Sequence, residues 1–124
     1  MTRRGKVLAL GLFTGLATTS VAAETVVVAA LGDSLTHGYG LPHGDGFVPQ
    51  LSGWLEAAGI EAVVQNAGVS GDTTQGGLAR VGWTLGPDVD AMIVALGGND
   101  VLRGIDPSVS KANLAGILEA AKAA

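Results

Sequence analysis

Three apolar segments alternate with helical patterns along this chain, and each of them ends in a polar loop that contains glycine. The segments are 26–31 (VVVAAL), 62–64 (AVV) and 91–96 (AMIVAL). Continuous runs of apolar and β-branched residues are typical of strands that are covered on both faces, as in a parallel sheet. Parallel strands need crossover connections, which are usually helices, so this alternation predicts an α/β fold with a parallel sheet.

Helical patterns fill the intervals between these strands and follow the last of them. Residues 47–58 place apolar side chains at helical spacing, and Gly59 follows at a position suited to the C-terminal cap. Residues 73–85 form a poorer helical pattern, because glycines interrupt it. Asp106 and Pro107 predict the N-cap and first turn of a last helix, which continues to the end of the chain.

The polar loops after the three strands carry the candidate functional residues. They read GDSLTHG, QNAGVSGDT and GGND. In open parallel sheets, functional residues gather beyond the carboxyl ends of the strands, so we expect the three loops to meet at one edge. Each loop alone has an ordinary structural explanation: Ser34 is a preferred helix N-cap type, residues 68–71 suit a turn, and Asn99 suits an Asx turn.

Together, the three loops indicate a catalytic site. Ser34 stands at a strand-to-helix turn, where a hydroxyl is directed outward as in a nucleophile elbow, although the usual G-x-S-x-G pattern is not present. A serine hydroxyl, a glycine N–H and the side-chain amide of Asn99 at one edge could surround a single carbonyl oxygen. That arrangement is an oxyanion hole.

The three loop segments resemble the SGNH, or GDSL-type, hydrolases. The resemblance rests on GDSLTHGYGL, QNAGVSGDTTQGGLAR and ALGGNDVLRGIDP in this order, and it extends from about residue 26 to the end of the chain. The pattern is most similar to bacterial secreted arylesterases and to multifunctional acyl-CoA thioesterase/lysophospholipase enzymes. It implies a flavodoxin-like three-layer α/β/α sandwich, the SGNH hydrolase fold, incomplete at its C-terminal end.

The resemblance also implies roles for individual residues. Ser34 would be the nucleophile that forms an acyl-enzyme, and the Ser34 amide, the Gly71 amide and the Asn99 side chain would donate to the oxyanion. Asp33 and Asp100 would organise the loops rather than take part in chemistry. The implied substrates are small acyl esters or thioesters, and neither a cofactor nor a metal is implied.

The chain departs from the family pattern in its general base. Members of the family carry Asp-x-x-His near the C-terminus, whereas this sequence has no such pattern and no histidine after Asn99. Nothing obvious orients His37 as a substitute base, and His37 and His43 lack a third ligand for a metal. We therefore expect residues 24–124 to be the N-terminal part of an SGNH hydrolase domain that has lost triad catalysis, with strand 91–96 left as an apolar edge.

Residues 1–23 have the pattern of a secretory signal peptide. Arg3, Arg4 and Lys6 precede an apolar run at 7–17, and Val-Ala-Ala ends the segment. The pattern predicts export to the periplasm or the medium, by either the Sec or the twin-arginine route. The run is shorter than the ~20 residues of a membrane span.

The composition of the remaining residues restricts the partners. They contain four basic and eleven acidic residues, a formal net charge of −7, which disfavours nucleic acid as a partner. The sequence has no cysteine, so disulfide scaffolds and thiolate zinc sites are excluded. The oligomeric state is left open.

Other functions also fit the three loops. A carbohydrate deacetylase of the same fold would use the same groups, and a non-catalytic module would use them to hold a small acyl or carbohydrate ligand. A phosphate-binding flavodoxin-like domain fits less well, because Asp33, Asp72 and Asp100 would repel the phosphate.

Overall fold

The computed structural model describes residues 24–124 and contains a parallel sheet of three strands. The strands are β1 (Val26–Gly32), β2 (Ala62–Gly68) and β3 (Ala91–Ala95). Their order in the sheet is β2-β1-β3, and both pairs are parallel. The predicted α/β fold with a parallel sheet is therefore confirmed, whereas the predicted signal peptide lies outside the described residues.

Five helices accompany the sheet within the described part of the chain. They are α1 (Ser34–His37), α2 (Phe47–Ala57), α3 (Thr74–Thr84), α4 (Gly98–Leu102) and α5 (Pro107–Ala123). The helices predicted from periodicity are confirmed to within about one residue at each end. The short helix α1 begins at the strand-to-helix turn expected at Ser34, whereas α4 occupies a segment that the sequence indicated only as a loop.

The strand β2 is longer than predicted. The apolar run ends at residue 64, but β2 continues through Gln65 and Asn66 to Gly68, in register with β1 over its whole length. Pairing with β1 extends the strand, and polar residues are tolerated because β2 forms an edge of the sheet and is partly exposed.

The order of the strands places helices on both faces of the sheet. The chain moves in one direction across the sheet from β1 to β2, and in the opposite direction, past β1, from β2 to β3. Because such crossovers are right-handed, α2 and α3 lie on opposite faces. This is the α/β/α arrangement of a flavodoxin-like sandwich.

The core lies between the central strand and the helices α3 and α5. Leu31 of β1, Val81 of α3 and Ile117 of α5 are buried against each other. As predicted, the N-cap of α5 is Asp106, whose carboxylate accepts a hydrogen bond of 2.8 Å from the Ser108 amide. In the described residues, no helix has both the length and the apolar character needed to cross a bilayer.

The strand β3 forms the other edge of the sheet. Within residues 24–124 it pairs with β1 only, and its two end residues, Ala91 and Ala95, are exposed. Next to it, Val101 and Leu102 of α4 are also exposed. Within the described residues, β3 is therefore an edge strand.

Candidate active site

The three polar loops meet at the carboxyl ends of the strands, as the parallel order predicts. The Val69 amide donates to the Gly32 carbonyl at 3.0 Å, which joins the second loop to the first. The Asn99 side chain donates to the Asp72 carbonyl at 2.8 Å, which joins the third loop to the second. These two hydrogen bonds hold the three loops together next to the start of α1.

Ser34 is the first residue of α1 and is partly buried. The N-cap of this helix is Asp33, whose Oδ1 accepts a hydrogen bond of 3.0 Å from the Leu35 amide. The capping explanation for Ser34 is therefore wrong. Because Asp33 satisfies the helix terminus, the Ser34 hydroxyl is not needed for capping.

Asp33 has a second contact that reaches across the site. The residue is 5% exposed, and its Oδ2 accepts a hydrogen bond from the Asn99 side chain at 3.5 Å. The Asp33 carboxylate thus caps α1 and contacts Asn99 of α4.

Asn99 is the second residue of α4 and is held mainly by one hydrogen bond. Its Nδ2 donates to the Asp72 carbonyl at 2.8 Å, whereas the contact with Asp33 is 3.5 Å long. An N–H···O bond is typically about 2.7–3.2 Å, so the second contact is weak. The amide is therefore oriented by one strong bond and keeps donor capacity for another oxygen.

Gly71 occupies a turn that only glycine adopts readily. The Asp72 amide donates to the Val69 carbonyl at 3.1 Å, and Gly71 has a φ of +80°. This geometry is that of the third residue of a type II turn. The Gly71 carbonyl accepts a hydrogen bond of 2.7 Å from Arg103 Nη2, which ties the turn to the end of α4. Within residues 24–124, the Gly71 N–H donates to no protein acceptor.

Asp100 is almost fully buried, at 1% exposure, and joins three helices. Its carboxylate accepts hydrogen bonds from the Thr74 hydroxyl at 2.5 Å, the Thr74 amide at 2.9 Å and the Ser110 hydroxyl at 2.9 Å. Desolvation opposes ionisation, but these donors outweigh it and hold the pKa of Asp100 below its usual value. Asp100 thus fixes α4 against α3 and α5.

The two histidines lie to one side of this arrangement. His37 ends α1, and its Nδ1 is 3.2 Å from the Gly68 carbonyl, which assigns the proton to Nδ1 in the neutral ring. His37 and His43 both line a cavity of about 520 Å³ between α1, β2 and the start of α2. Within residues 24–124, no group of three or more His, Cys, Asp or Glu side chains is arranged to hold a metal ion.

Sequence reasoning missed two arginines that support the loops. Arg80 Nε donates to Asp72 Oδ2 at 2.7 Å, and Arg103 donates to the Gly71 carbonyl as described above. The available signal was charge, because Arg80 and Arg103 are two of only four basic residues between residue 24 and the end of this acidic segment.

A family model matches most of the chain. The GDSL-like Lipase/Acylhydrolase family matches residues 30–124, which include all three loops.

Several characterised proteins are similar to the chain in sequence. Esterase TesA of Pseudomonas aeruginosa is 41% identical over 109 residues, which cover 87% of this chain and 53% of the relative. The arylesterase of Vibrio mimicus is 38% identical over 118 residues, covering 94% of this chain and 58% of the relative. The chain thus spans about half the length of the relatives that it matches.

Solved structures give the same result for the fold. The SGNH-hydrolase family esterase AlinE4 superposes with a TM-score of 0.75 at 48% identity, over 79% of this chain and 53% of that protein. The crystal structure of TesA has a TM-score of 0.75 at 38% identity, over 78% of this chain and 54% of that protein. The predicted fold class is therefore confirmed.

Proposed function

The chain belongs to the GDSL-like lipase/acylhydrolase family, and we propose that its loops form the nucleophile and oxyanion half of a serine hydrolase acting on small acyl esters or thioesters. The observation that carries this proposal is the hydrogen bonding that ties Asn99 to the loops of both Ser34 and Gly71. These bonds bring one candidate nucleophile and two candidate donors to the same edge of the sheet.

In the proposed reaction, Ser34 Oγ attacks the acyl carbon and loses its proton to a base. The carbonyl oxygen becomes an oxyanion, which accepts hydrogen bonds from the amides of Ser34 and Gly71 and from Asn99 Nδ2. The tetrahedral intermediate then expels the alcohol or thiol, which takes up the proton, and leaves an acyl-Ser34. Water attacks this ester in the same way and releases the acid. Each such donor contributes ~10²–10³ in rate in known oxyanion holes.

The base is the group that these residues do not supply. The sequence contains no Asp-x-x-His, and within residues 24–124 no hydrogen bond joins the His37 ring to the Ser34 hydroxyl. We therefore propose that residues 24–124 acylate Ser34 slowly by themselves. Sites that lack a triad member retain ~10³–10⁴ over water through their oxyanion hole and substrate binding.

Export and partners are proposed on the same basis. Residues 1–23 have the charged start, apolar run and small-residue end of a signal peptide. The acidic balance of the remainder argues against nucleic acid as a partner, and the proposed partner is a small acyl ester or thioester.

Chemical rescue of the base tests the proposal directly. The chain is incubated with p-nitrophenyl acetate, with and without added imidazole, and peptide mass spectrometry locates the acetyl group. We expect imidazole to accelerate acetylation of Ser34 in the wild-type chain. Ser34→Ala is expected to show only the background reaction of imidazole with the ester. Ser70→Ala, a second loop serine that is exposed, is the matched control and should behave as wild type.

Two results would count against the proposal. Equal acetylation of Ser34 and of unrelated surface serines would show that no oxyanion site assists Ser34. Saturable binding of the ester without any acetyl-Ser34, even with imidazole, would favour the non-catalytic binding module.

A further inference from the structure

One cation contacts the first and the second of the three loops of the proposed site. Arg80, in the middle of α3, donates from Nη2 to the Gly32 carbonyl at 2.9 Å, from Nη1 to the Ala67 carbonyl at 2.8 Å and from Nε to Asp72 Oδ2 at 2.7 Å. We propose that Arg80, acting through Asp72, is a positioning residue that sets the geometry of the oxyanion donors. The inference rests on the proposed roles of Ser34 and Asn99.

Arg80 joins the ends of β1 and β2. Gly32 and Ala67 stand at or next to the last residues of β1 and β2. The guanidinium donates to both carbonyls, in addition to the Val69 amide at Gly32, and so fixes the two strand ends relative to each other. Gly32 is two residues before Ser34, so this contact also fixes the entry to α1.

Asp72 links Arg80 to Asn99. The Asp72 carboxylate is held by Arg80, and the Asp72 carbonyl accepts the strong hydrogen bond from Asn99. Asp72 also directly follows Gly71, another of the three proposed donors. The position of Asp72 therefore affects where both Gly71 and Asn99 lie.

The pair is partly shielded from water. The Arg80 side chain is 23% exposed and the Asp72 side chain 12%. A shielded ion pair with good geometry holds its partners more firmly than an exposed pair does. The planar fork of arginine reaches three acceptors at once, whereas a lysine ammonium is a single point charge and cannot reproduce this geometry.

Gly76 allows the Asp72 carboxylate to occupy its place. A Cβ added at Gly76 would lie within 1.7 Å of Asp72 Oδ1, so an alanine there must displace the carboxylate. Gly82 lies on the same helix, and an added Cβ would meet no atom within 4 Å. Gly76→Ala thus perturbs the pair without altering either charge, and Gly82→Ala is its matched control.

NMR of the full chain measures the proposed effect at Asn99 itself. The readouts are the shifts of the two Asn99 side-chain N–H protons and their exchange with water, with the backbone amides of Leu31 and Ile117 as core references. For Asp72→Asn, Gly76→Ala and Arg80→Met we expect the two shifts to converge. The side-chain exchange should increase about tenfold, whereas core amides change less, because local opening is cheaper than global unfolding. Gly82→Ala should leave the Asn99 signals as in the wild-type chain.

The variant Arg80→Lys tests whether the planar guanidinium of Arg80 is required. Arg80→Lys should give Asn99 signals closer to those of Arg80→Met than to those of the wild-type chain. If Arg80→Met does not fold, Asp72→Asn and Gly76→Ala decide the question, because both keep Arg80 and its two backbone acceptors.

The inference is overturned if Asn99 keeps its wild-type signals in Asp72→Asn and Gly76→Ala. It is also overturned if core amides exchange faster by the same factor as Asn99, because the pair would then contribute only to global stability. These readouts do not depend on hydrolysis. Failure of Ser34 to acylate would therefore reject the proposed function while leaving the positioning of Asn99 intact.

Discussion

The Asn99 side chain donates a hydrogen bond of 2.8 Å to the Asp72 carbonyl. Asn99, in the helix that follows β3, is therefore oriented by the loop that follows β2. The two residues are 27 positions apart in sequence. This bond uses one N–H of the amide, and the other is in only weak contact with Asp33 at 3.5 Å. A substrate oxygen can therefore replace the weaker partner without disturbing the stronger one.

Asn99→Ala should reduce the imidazole-assisted acetylation of Ser34. The substitution removes a donor to the proposed oxyanion, and such losses typically cost ~10²–10³ in rate. Leu102→Ala, on the same helix and 84% exposed, is the control and should acylate at the wild-type rate. Acetylation of Asn99→Ala at the wild-type rate would remove Asn99 from the oxyanion hole.

Asp100 should make stability depend on pH in the acid range. Its pKa is lowered in the folded chain, so the stability it contributes is present above its unfolded pKa and is lost as pH falls through the folded value. Asp100→Asn should flatten this acid dependence. It should also cost about 1–3 kcal/mol at neutral pH, because an acceptor of buried hydrogen bonds is lost. Urea unfolding between pH 3 and 7 checks both effects, and Asp45→Asn, at an exposed position, is the control.

Gly68→Ala should be strongly destabilising. An added Cβ would lie 2.3 Å from the His37 backbone nitrogen and 2.7 Å from its Cα, and backbone atoms cannot move aside as a side-chain end can. Overpacking of this kind typically costs about 1–3 kcal/mol. Gly53→Ala in α2 meets no atom within 4 Å, so it should instead stabilise by about 0.5–1 kcal/mol. Equal unfolding midpoints of the two variants would contradict the close approach of β2 to α1.

Ala91→Lys should reduce self-association. The strand β3 pairs with β1 only within the described residues, and its free edge can pair with another chain. A lysine at the exposed Ala91 opposes that pairing by charge. Ala123→Lys, which adds the same charge at an exposed position of α5, is the matched control. Sedimentation velocity over a range of concentrations should show weaker association for Ala91→Lys alone, and equal effects would attribute the change to net charge.

Much of the fold could be predicted because it depends on short-range patterns. The β-branched run before Gly32 and the spacing of apolar residues in α2 each specify their element within a few residues. The rule for parallel sheets then places Ser34, Gly71 and Asn99 at the same edge. These steps need residue types and their order, and no knowledge of contacts.

The remainder depends on which segments approach each other. Whether Ser34 or Asp33 caps α1 is decided by side-chain direction, and both residue types are good caps. The extension of β2 through Gln65 and Asn66 requires β1 beside it.

The sequence by itself therefore determined the three strands apart from the end of β2, the principal helices and the edge at which the candidate site lies. The tertiary structure alone decided that Arg80 contacts Gly32, 48 positions away, and that Asp72 orients Asn99. The physical reason is the distance along the chain over which each kind of interaction acts. Local propensity acts between neighbours along the chain, whereas a hydrogen bond between distant residues forms only where folding brings a donor within about 3 Å of its acceptor.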